Sequence, residues 1–286
     1  MQNIVENLLL KDHSTMRVGG VAKRACFPDT VEDMCKAVWE CSVENSRFII
    51  VGNCSNIIFP DEGYDGTVIF TYKLKGINID GTRLTALCGE KLTAVSKAAA
   101  EESLSGLEFA YGIPGTVGGG VFMNAGAYGG EIKDCLTTVK VLDLNGEVSV
   151  LPAEELELGY RHSVFMNKNL FVLEATFDLA RGDKDEIKSL NELNMSKRSD
   201  KQPLDMPSCG SAFKRPEGHF AGALIEQCGL KGYSIGGAQV STKHAGFIVN
   251  TGNATAKDIE DLIAFIQKTV YEKTGVELTP EIRIIK

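Results

Sequence analysis

Apolar residues along this chain follow two spacings, and each predicts a different kind of element. Arg47-Phe-Ile-Ile-Val51 is a short apolar run that stops at Gly52, the mark of a buried strand. Further β segments are predicted around 67–72, 76–79, 84–88, 137–143, 147–151, 170–179 and 246–250. Leu92, Val95, Ala98 and Ala99 share one face of a helix over about 91–102. Other helices are predicted over about 31–42, over 183–198 with Ile187, Leu190 and Leu193 along one side, and near 219–228. The clearest element is the last long helix. Thr255 and Asp258 form a capping-box pattern, Ile259, Leu262, Ile263, Ile266 and Val270 keep helical spacing, and Gly275 closes it. Ile282, Ile284 and Ile285 predict a final strand. Lys201 to Gly210 holds two prolines and a glycine, which places the main boundary at about 195–200.

One stretch obeys neither spacing. From Gly112 to Glu131 the chain reads Gly-Ile-Pro-Gly-Thr-Val-Gly-Gly-Gly-Val-Phe-Met-Asn-Ala-Gly-Ala-Tyr-Gly-Gly-Glu. Such glycine density argues against a good helix or a packed strand, and for backbone at positive φ or close to a bulky ligand. Main-chain N–H groups can turn toward an anion in such a segment. A linker would be polar and Ser-rich, whereas this run carries Ile, Val, Phe and Met. A second glycine-containing turn, Gly52-Asn-Cys-Ser-Asn56, lies about sixty residues earlier. Neither turn is G-x-G-x-x-G and neither is followed by Gly-Lys-Ser/Thr, so Rossmann and P-loop sites are not supported. Two separated backbone cradles in a β-rich lobe suit a long ligand with a diphosphate at its middle, such as a flavin dinucleotide.

Composition narrows the class. The 286 residues suffice for two or three lobes, and 43% hydrophobic with 24% charged residues is ordinary for a globular protein. A net charge of −8 argues against a general nucleic-acid binder. Leu8-Leu9-Leu10 is too short for a signal-peptide core or a membrane span. Eight cysteines without C-x-x-C or close His partners fit reduced thiols in a cytoplasmic protein, with no metal site.

Six segments in order then resemble one family. They are Met16-Arg-Val-Gly-Gly20, Val51-Gly-Asn-Cys-Ser-Asn56, Gly112-Ile-Pro-Gly-Thr-Val-Gly-Gly119 with Asn124-Ala-Gly-Ala127, Gly159-Tyr-Arg-His-Ser163, Gly210-Ser-Ala-Phe-Lys214 and Pro280-Glu-Ile-Arg283. Together they resemble the signatures of UDP-N-acetylenolpyruvoylglucosamine reductase over nearly the whole chain. The resemblance implies an α+β fold: a two-lobed FAD-binding domain of the vanillyl-alcohol-oxidase (PCMH) type, with lobes 1–75 and 76–195, and a C-terminal α+β substrate domain, 196–286. It implies reduction of the enolpyruvyl ether of a UDP-sugar to UDP-N-acetylmuramate in peptidoglycan precursor synthesis. NADPH would be the donor and non-covalent FAD the cofactor. The expected partners are these small molecules alone, in a cytoplasmic monomer that binds neither membrane nor nucleic acid.

Site residues carry over position by position. Arg161, Ser211 and Glu281 match the family's catalytic arginine, serine and glutamate. Hydride addition to the β-carbon of an enolpyruvyl group loads negative charge on the carboxylate. A forked guanidinium and a protonated carboxyl would stabilise that charge while a serine delivers a proton to the α-carbon. The expected cofactor contacts are Arg17, Gly52, Asn53, Cys54, Ser55, Asn56, Ile57, Gly112, Ile113, Pro114, Gly115, Gly118, Gly119, Asn124, Ala125, Gly126, Arg198 and Arg283. Tyr160, Lys201, Lys214, Lys243 and His244 are the expected substrate contacts, and Lys214 also a possible helper for Ser211. Arg198 and Lys201 also resemble the family's basic positions for the substrate's diphosphate.

Three departures stand out. Cys54 occupies a turn position that is usually glycine in the family. The short stretch from Arg161 to Asp183 lacks the tyrosine-bearing insertion of some members and so resembles the shorter subtype. Residue 215 is Arg where some members have Asn. The competing readings are an FAD-dependent oxidase of the same superfamily acting on an alcohol or sugar, and a non-catalytic nucleotide binder. The second would be expected to lack one of Arg161, Ser211 or Glu281. A serine hydrolase based on Lys273-Thr-Gly275 fails for want of an S-x-x-K motif.

Overall fold

The computed structural model describes residues 3–286, and the chain forms two compact units. Unit 1 comprises the residues up to Glu6, Arg24–Asn53 and Gly66–Arg198; unit 2 comprises Asn7–Lys23, Cys54–Asp65 and Ser199–Lys286. Neither is one stretch of chain, because residues 7–23 and 54–65 group with the C-terminal segment.

Unit 1 is built on an antiparallel five-stranded sheet. Its strands run in the order Val148–Pro152, Leu136–Leu142, Phe171–Asp178, Arg83–Leu87, Ile77–Asp80. Val139, Val141, Leu173, Ala175, Phe177, Leu84 and Ala86 are fully buried in it. Phe48–Val51 pairs in parallel with Thr67–Phe70, Phe48 opposite Thr67. Helix α1 (Val31–Val43) buries Met34, Ala37, Val38 and Cys41, the i, i+3, i+4, i+7 stripe of an amphipathic helix. Helix α2 (Leu92–Glu101) buries Leu92, Val95 and Ala99 in the same core.

The glycine run departs from expectation. Val117–Met123 is a helix, α3, capped by Thr116, whose side chain accepts from the Gly119 N–H. Packing overrides propensity here. A Cβ on Gly118 would lie 3.0 Å from Cys88 Cβ, and one on Gly120 would lie 3.0 Å from Leu92 Cδ1. These glycines let the helix backbone approach its protein neighbours. Positive φ is needed at Gly129 (+91°), in the turn after Gly126–Ala127.

Two further differences have simple causes. Strands Ile4–Leu9 and Val21–Cys26 carry no marked pattern because most of the first is exposed. Helix α4 (Lys184–Lys201) does bury Ile187, but Leu190 and Leu193 are exposed and Asn191 and Asn194 take the inner face. Both asparagines are satisfied there: Ser96 Oγ donates to Asn191 Oδ1 at 3.3 Å, and Asn194 Nδ2 donates to the Glu108 carbonyl at 3.1 Å.

Unit 2 packs helices α5 (Ala221–Gln227) and α6 (Ala256–Thr274) with an antiparallel sheet. Its strand order is Ser208–Ser211, Phe247–Asn250, Ala238–Val240, Ser234–Ile235. The final strand, shortened to Arg283–Ile284, pairs in parallel with Ile57–Ile58. Helix α6 forms where the sequence places it, and Ile259, Leu262, Ile263, Ile266 and Val270 are buried. Its first turn is fully provided for. Thr255 Oγ1 accepts from the Asp258 N–H, and Asp258 accepts from Thr255 N–H and Gly237 N–H. The Asp61 carboxylate takes the N–H groups of Ala256 and Lys257. No helix among the described residues is long and apolar enough to cross a membrane.

This cap makes a stability prediction. Thr255→Ala should cost about 1 kcal/mol in urea unfolding. Backbone hydrogen bonds, first that from Thr255, hold the Asp258 pKa below its ordinary value. The stability Asp258 confers is therefore present above the unfolded carboxylate pKa and is lost as pH falls through the lower native value. The advantage of the native chain over Asp258→Asn should shrink below about pH 4.

Candidate active site

In unit 1 the two glycine turns are brought together. Val51 ends its strand with its carbonyl held by the N–H and hydroxyl of Thr71. The chain then turns at Gly52, where any Cβ would overlap Thr116 Oγ1. Asn53 Nδ2 donates to the Pro114 carbonyl at 2.7 Å, tying one turn to the other. Ile113, Pro114 and Gly115 are partly or fully exposed beside it, as are Gly118 and Gly119.

Of the two expected cradles, the second spends part of its donors inside the protein. The N–H groups of Val117 and Gly118 are spent on the carbonyls of Glu90 and Cys88. By contrast, among the described residues no intramolecular hydrogen bond engages the backbone N–H of Gly52, Asn53, Cys54 or Ser55. Arg198 adds a cation. Its Cδ would be 3.0 Å from a Cβ on Gly112, burial pushes its pKa down with Tyr128 opposing, and no carboxylate pairs with it. In unit 1, a half-buried, unpaired guanidinium and the unengaged N–H groups of Gly52 and Asn53 are donors of the kind a phosphate-bearing group takes.

Asn124 is not placed as a ligand contact by its side chain. It is fully buried at the end of α3, in the left-handed conformation with φ +41°. Its Nδ2 donates at 2.9 Å to both Glu131 Oε2 and the Gly159 carbonyl. Its Oδ1 accepts from Lys133 N–H at 2.9 Å. Both amide protons are thereby used inside the protein. Ala125 and Gly126 follow it, half-buried.

Arg161 sits on the turn that Asn124 holds. Gly159 and His162 exchange N–H···O=C bonds of 3.1 and 3.2 Å, leaving Tyr160 and Arg161 at the tip. Arg161 has φ +52°, a conformation costing a non-glycine residue about 1 kcal/mol. Its guanidinium donates to the Gly126 carbonyl at 3.1 Å and lies 5.1 Å from the centroid of the half-exposed Tyr160 ring. Ser163 Oγ, fully buried, donates to the Phe122 carbonyl at 2.6 Å.

Unit 2 gathers the other two catalytic candidates. Ser211 ends the strand Ser208–Ser211, irregular in register and exposed, beside Gly210 at φ +73° with open space around it. The chain continues alongside residues 279–281. Glu281 N–H donates to the Ala212 carbonyl at 2.9 Å and Lys214 N–H to Thr279 at 2.8 Å. Asn56, in the same unit, bonds to the second of these segments. Its Nδ2 donates to the Glu281 carbonyl at 3.1 Å and its carbonyl accepts from Arg283 N–H at 3.0 Å. Ile57 stands opposite Arg283. Surrounding protein lowers the Arg283 pKa although the residue remains exposed. Arg17 is also exposed, at φ +57° between the buried Met16 and Val18.

The remaining substrate candidates differ in character. Lys243 Nζ donates to the Ser199 carbonyl at 2.6 Å, and Lys201 is exposed at the end of α4. Gly246 N–H donates to His244 Nδ1 at 3.0 Å, and burial lowers the His244 pKa. With Nδ1 accepting this bond, the neutral ring carries its proton on Nε2. Cys54 takes φ +47°, the conformation that favours glycine, and its thiol is buried rather than turned to solvent. Burial pushes it up to about 12, and the neighbouring Cys209 up to about 11. Thr15 Oγ1 lies 2.8 Å from the Ser208 carbonyl and 3.7 Å from Cys209 Sγ, bracing this corner.

Comparison with known proteins decides the family. Residues 202–285 match the model of the UDP-N-acetylenolpyruvoylglucosamine reductase C-terminal domain, and residues 22–151 match an FAD binding domain. The reductase of Clostridium beijerinckii is 48% identical over 275 residues, 96% of this chain and 90% of that protein. That of Lactococcus lactis is 47% identical over 291 residues, 100% and 97% of the two chains. The chain belongs to the UDP-N-acetylenolpyruvoylglucosamine reductase family. The crystal structure of the Thermus caldophilus reductase superposes with a TM-score of 0.85 at 35% identity, covering 98% of both chains. The expected α+β class with an FAD-binding domain stands.

Within unit 1 the residues fit the family's cofactor: the unengaged N–H groups of Gly52 and Asn53 and the unpaired Arg198 are donors of the kind a dinucleotide diphosphate takes. Sequence reasoning passed over Thr116, Ser163, Glu131 and Tyr128. Ser163 lay within the recognised Gly159–Ser163 segment, but a buried serine gives no sign of its acceptor.

Thiol chemistry tests this picture. Cys88 and Cys135 are pushed up to about 12 by burial, like Cys54, and Cys35 is the one half-exposed cysteine. At pH 8 the native protein should react with a disulfide reagent at Cys35 first, and all 8 thiols should react after denaturation. Acid precipitation should release all flavin into the supernatant.

Proposed function

We propose that this chain reduces UDP-N-acetylglucosamine enolpyruvate to UDP-N-acetylmuramate with electrons from NADPH. It is an FAD-dependent oxidoreductase of peptidoglycan precursor synthesis, acting in the cytoplasm as a monomer. FAD, when bound, would supply the redox chemistry between NADPH and the enolpyruvyl group. In this reading lobes 1–75 and 76–195 form the FAD-binding domain and 196–286 the substrate-binding domain, with Arg198 and Arg283 of the latter also serving the cofactor.

The observation that carries the reading is the pairing of Ser211 with Glu281 on adjoining segments, through the 2.9 Å bond from Glu281 N–H to the Ala212 carbonyl. It runs the segment that bears Glu281 alongside the segment that bears Ser211, on one unit. Ser211 Oγ gives its proton to the substrate α-carbon as hydride arrives at the β-carbon. The Glu281 carboxyl and the Arg161 guanidinium bind the substrate carboxylate, where negative charge accumulates. The backbone of Gly52–Ser55, with Asn53, Asn56, Arg17, Arg198 and Arg283, holds the cofactor. Lys201, Lys214 and Lys243 meet the substrate diphosphate, and His244 Nε2 and Tyr160 contribute neutral contacts.

Half-reactions separate these roles. NADPH added without oxygen should bleach the flavin band, and the enolpyruvyl substrate should restore it. Recovery only with air would favour an oxidase of the same superfamily. Ser211→Ala should leave bleaching intact and slow recovery about 10²-fold or more. Arg161→Ala should slow recovery about 10²- to 10³-fold.

A further inference from the structure

We propose that Ser163 and Asn124 are positioning residues for Arg161, fixing the left-handed backbone that aims its guanidinium. This rests on the role assigned to Arg161 above. The turn Gly159–His162 is short, and its tip residue adopts φ +52°, which arginine does not favour. Something outside the turn must over-determine it. Two buried polar side chains do so, one at each end. Asn124 Nδ2 grips the Gly159 carbonyl at 2.9 Å, and Ser163 Oγ grips the Phe122 carbonyl at 2.6 Å. Both grips converge on the C-terminal end of α3, since Phe122 and Asn124 belong to its last turn and its cap. The Gly126 carbonyl, two residues beyond Asn124, then receives the Arg161 guanidinium at 3.1 Å. One rigid element thus sets the backbone and the side chain of the same arginine.

The arrangement also accounts for the burial. Asn124 and Ser163 are both fully buried and bear polar groups with no contact to solvent, so their hydroxyl and carboxamide serve the protein interior alone. Neither touches substrate, and their effect on rate passes through Arg161.

The test is a double-mutant comparison in the flavin-loaded protein. Ser163→Ala should slow recovery of the flavin band about tenfold or more while bleaching by NADPH and its KM stay unchanged. Introduced alongside Arg161→Lys, the same change should add little, because the group it positions is already altered. Ser163→Cys, an isosteric weaker donor, should show the same pattern to a smaller degree and carries the test if the alanine variant does not fold. Equal slowing in both backgrounds, or slowing of both half-reactions together, would overturn the proposal. Amide hydrogen exchange across 159–163 reads the turn whatever the substrate is. Exchange at the His162 N–H should quicken in Ser163→Ala, and unchanged exchange there would overturn the positioning role on its own.

Discussion

The buried carboxamide of Asn124 is the interaction on which the local architecture of unit 1 depends. Its two protons and one oxygen join the end of α3, the Glu131 carboxylate, the Lys133 backbone and the Gly159 carbonyl. Asn124 is itself fully buried, so losing a partner would leave part of its carboxamide unpaired away from solvent, which costs more than the bond contributes when made. The glycine run, the hairpin after it and the arginine-bearing turn are consequently one object. This explains how a segment so rich in glycine can anchor the turn that bears Arg161.

Legibility in the sequence followed the range of the interaction. Helix α6 was plain because its cap, apolar face and terminal glycine lie within twenty residues and act through adjacent turns. The sheet strands were visible wherever one face was buried, and invisible at Ile4–Leu9, where little is. Helix α3 was misread because propensity counts the entropy lost by glycine and ignores what glycine permits, here the approach of Gly118 to Cys88. On α4 the leucines promised an inner face, but hydrogen-bonded asparagines occupy it.

The site was legible in a different way. Arg161, Ser211 and Glu281 stand out only as members of ordered motifs, since singly each could be a surface residue. The roles of Asn124 and Ser163 were not legible, because their partners lie 35 and 41 residues away and no local pattern records them. His244 shows the complementary limit. Its position in the chain was informative, but its tautomer follows from the Gly246 N–H bond that its ring accepts.

The interrupted course of the chain constrains how the protein can be made. Unit 1 ends at Arg198, whereas unit 2 draws on residues 7–23, 54–65 and everything from Ser199. Met16, Val18 and Ile58 share a core with Ile259, Leu262 and Ile266, and Asp61 caps a helix that begins at residue 256. On the ribosome these early residues emerge long before their partners exist, so their apolar side chains stay uncovered until translation is nearly finished. Loss of the last thirty residues would therefore strand segments from the first quarter of the chain, and a nascent-chain chaperone has a defined interval in which to shield them.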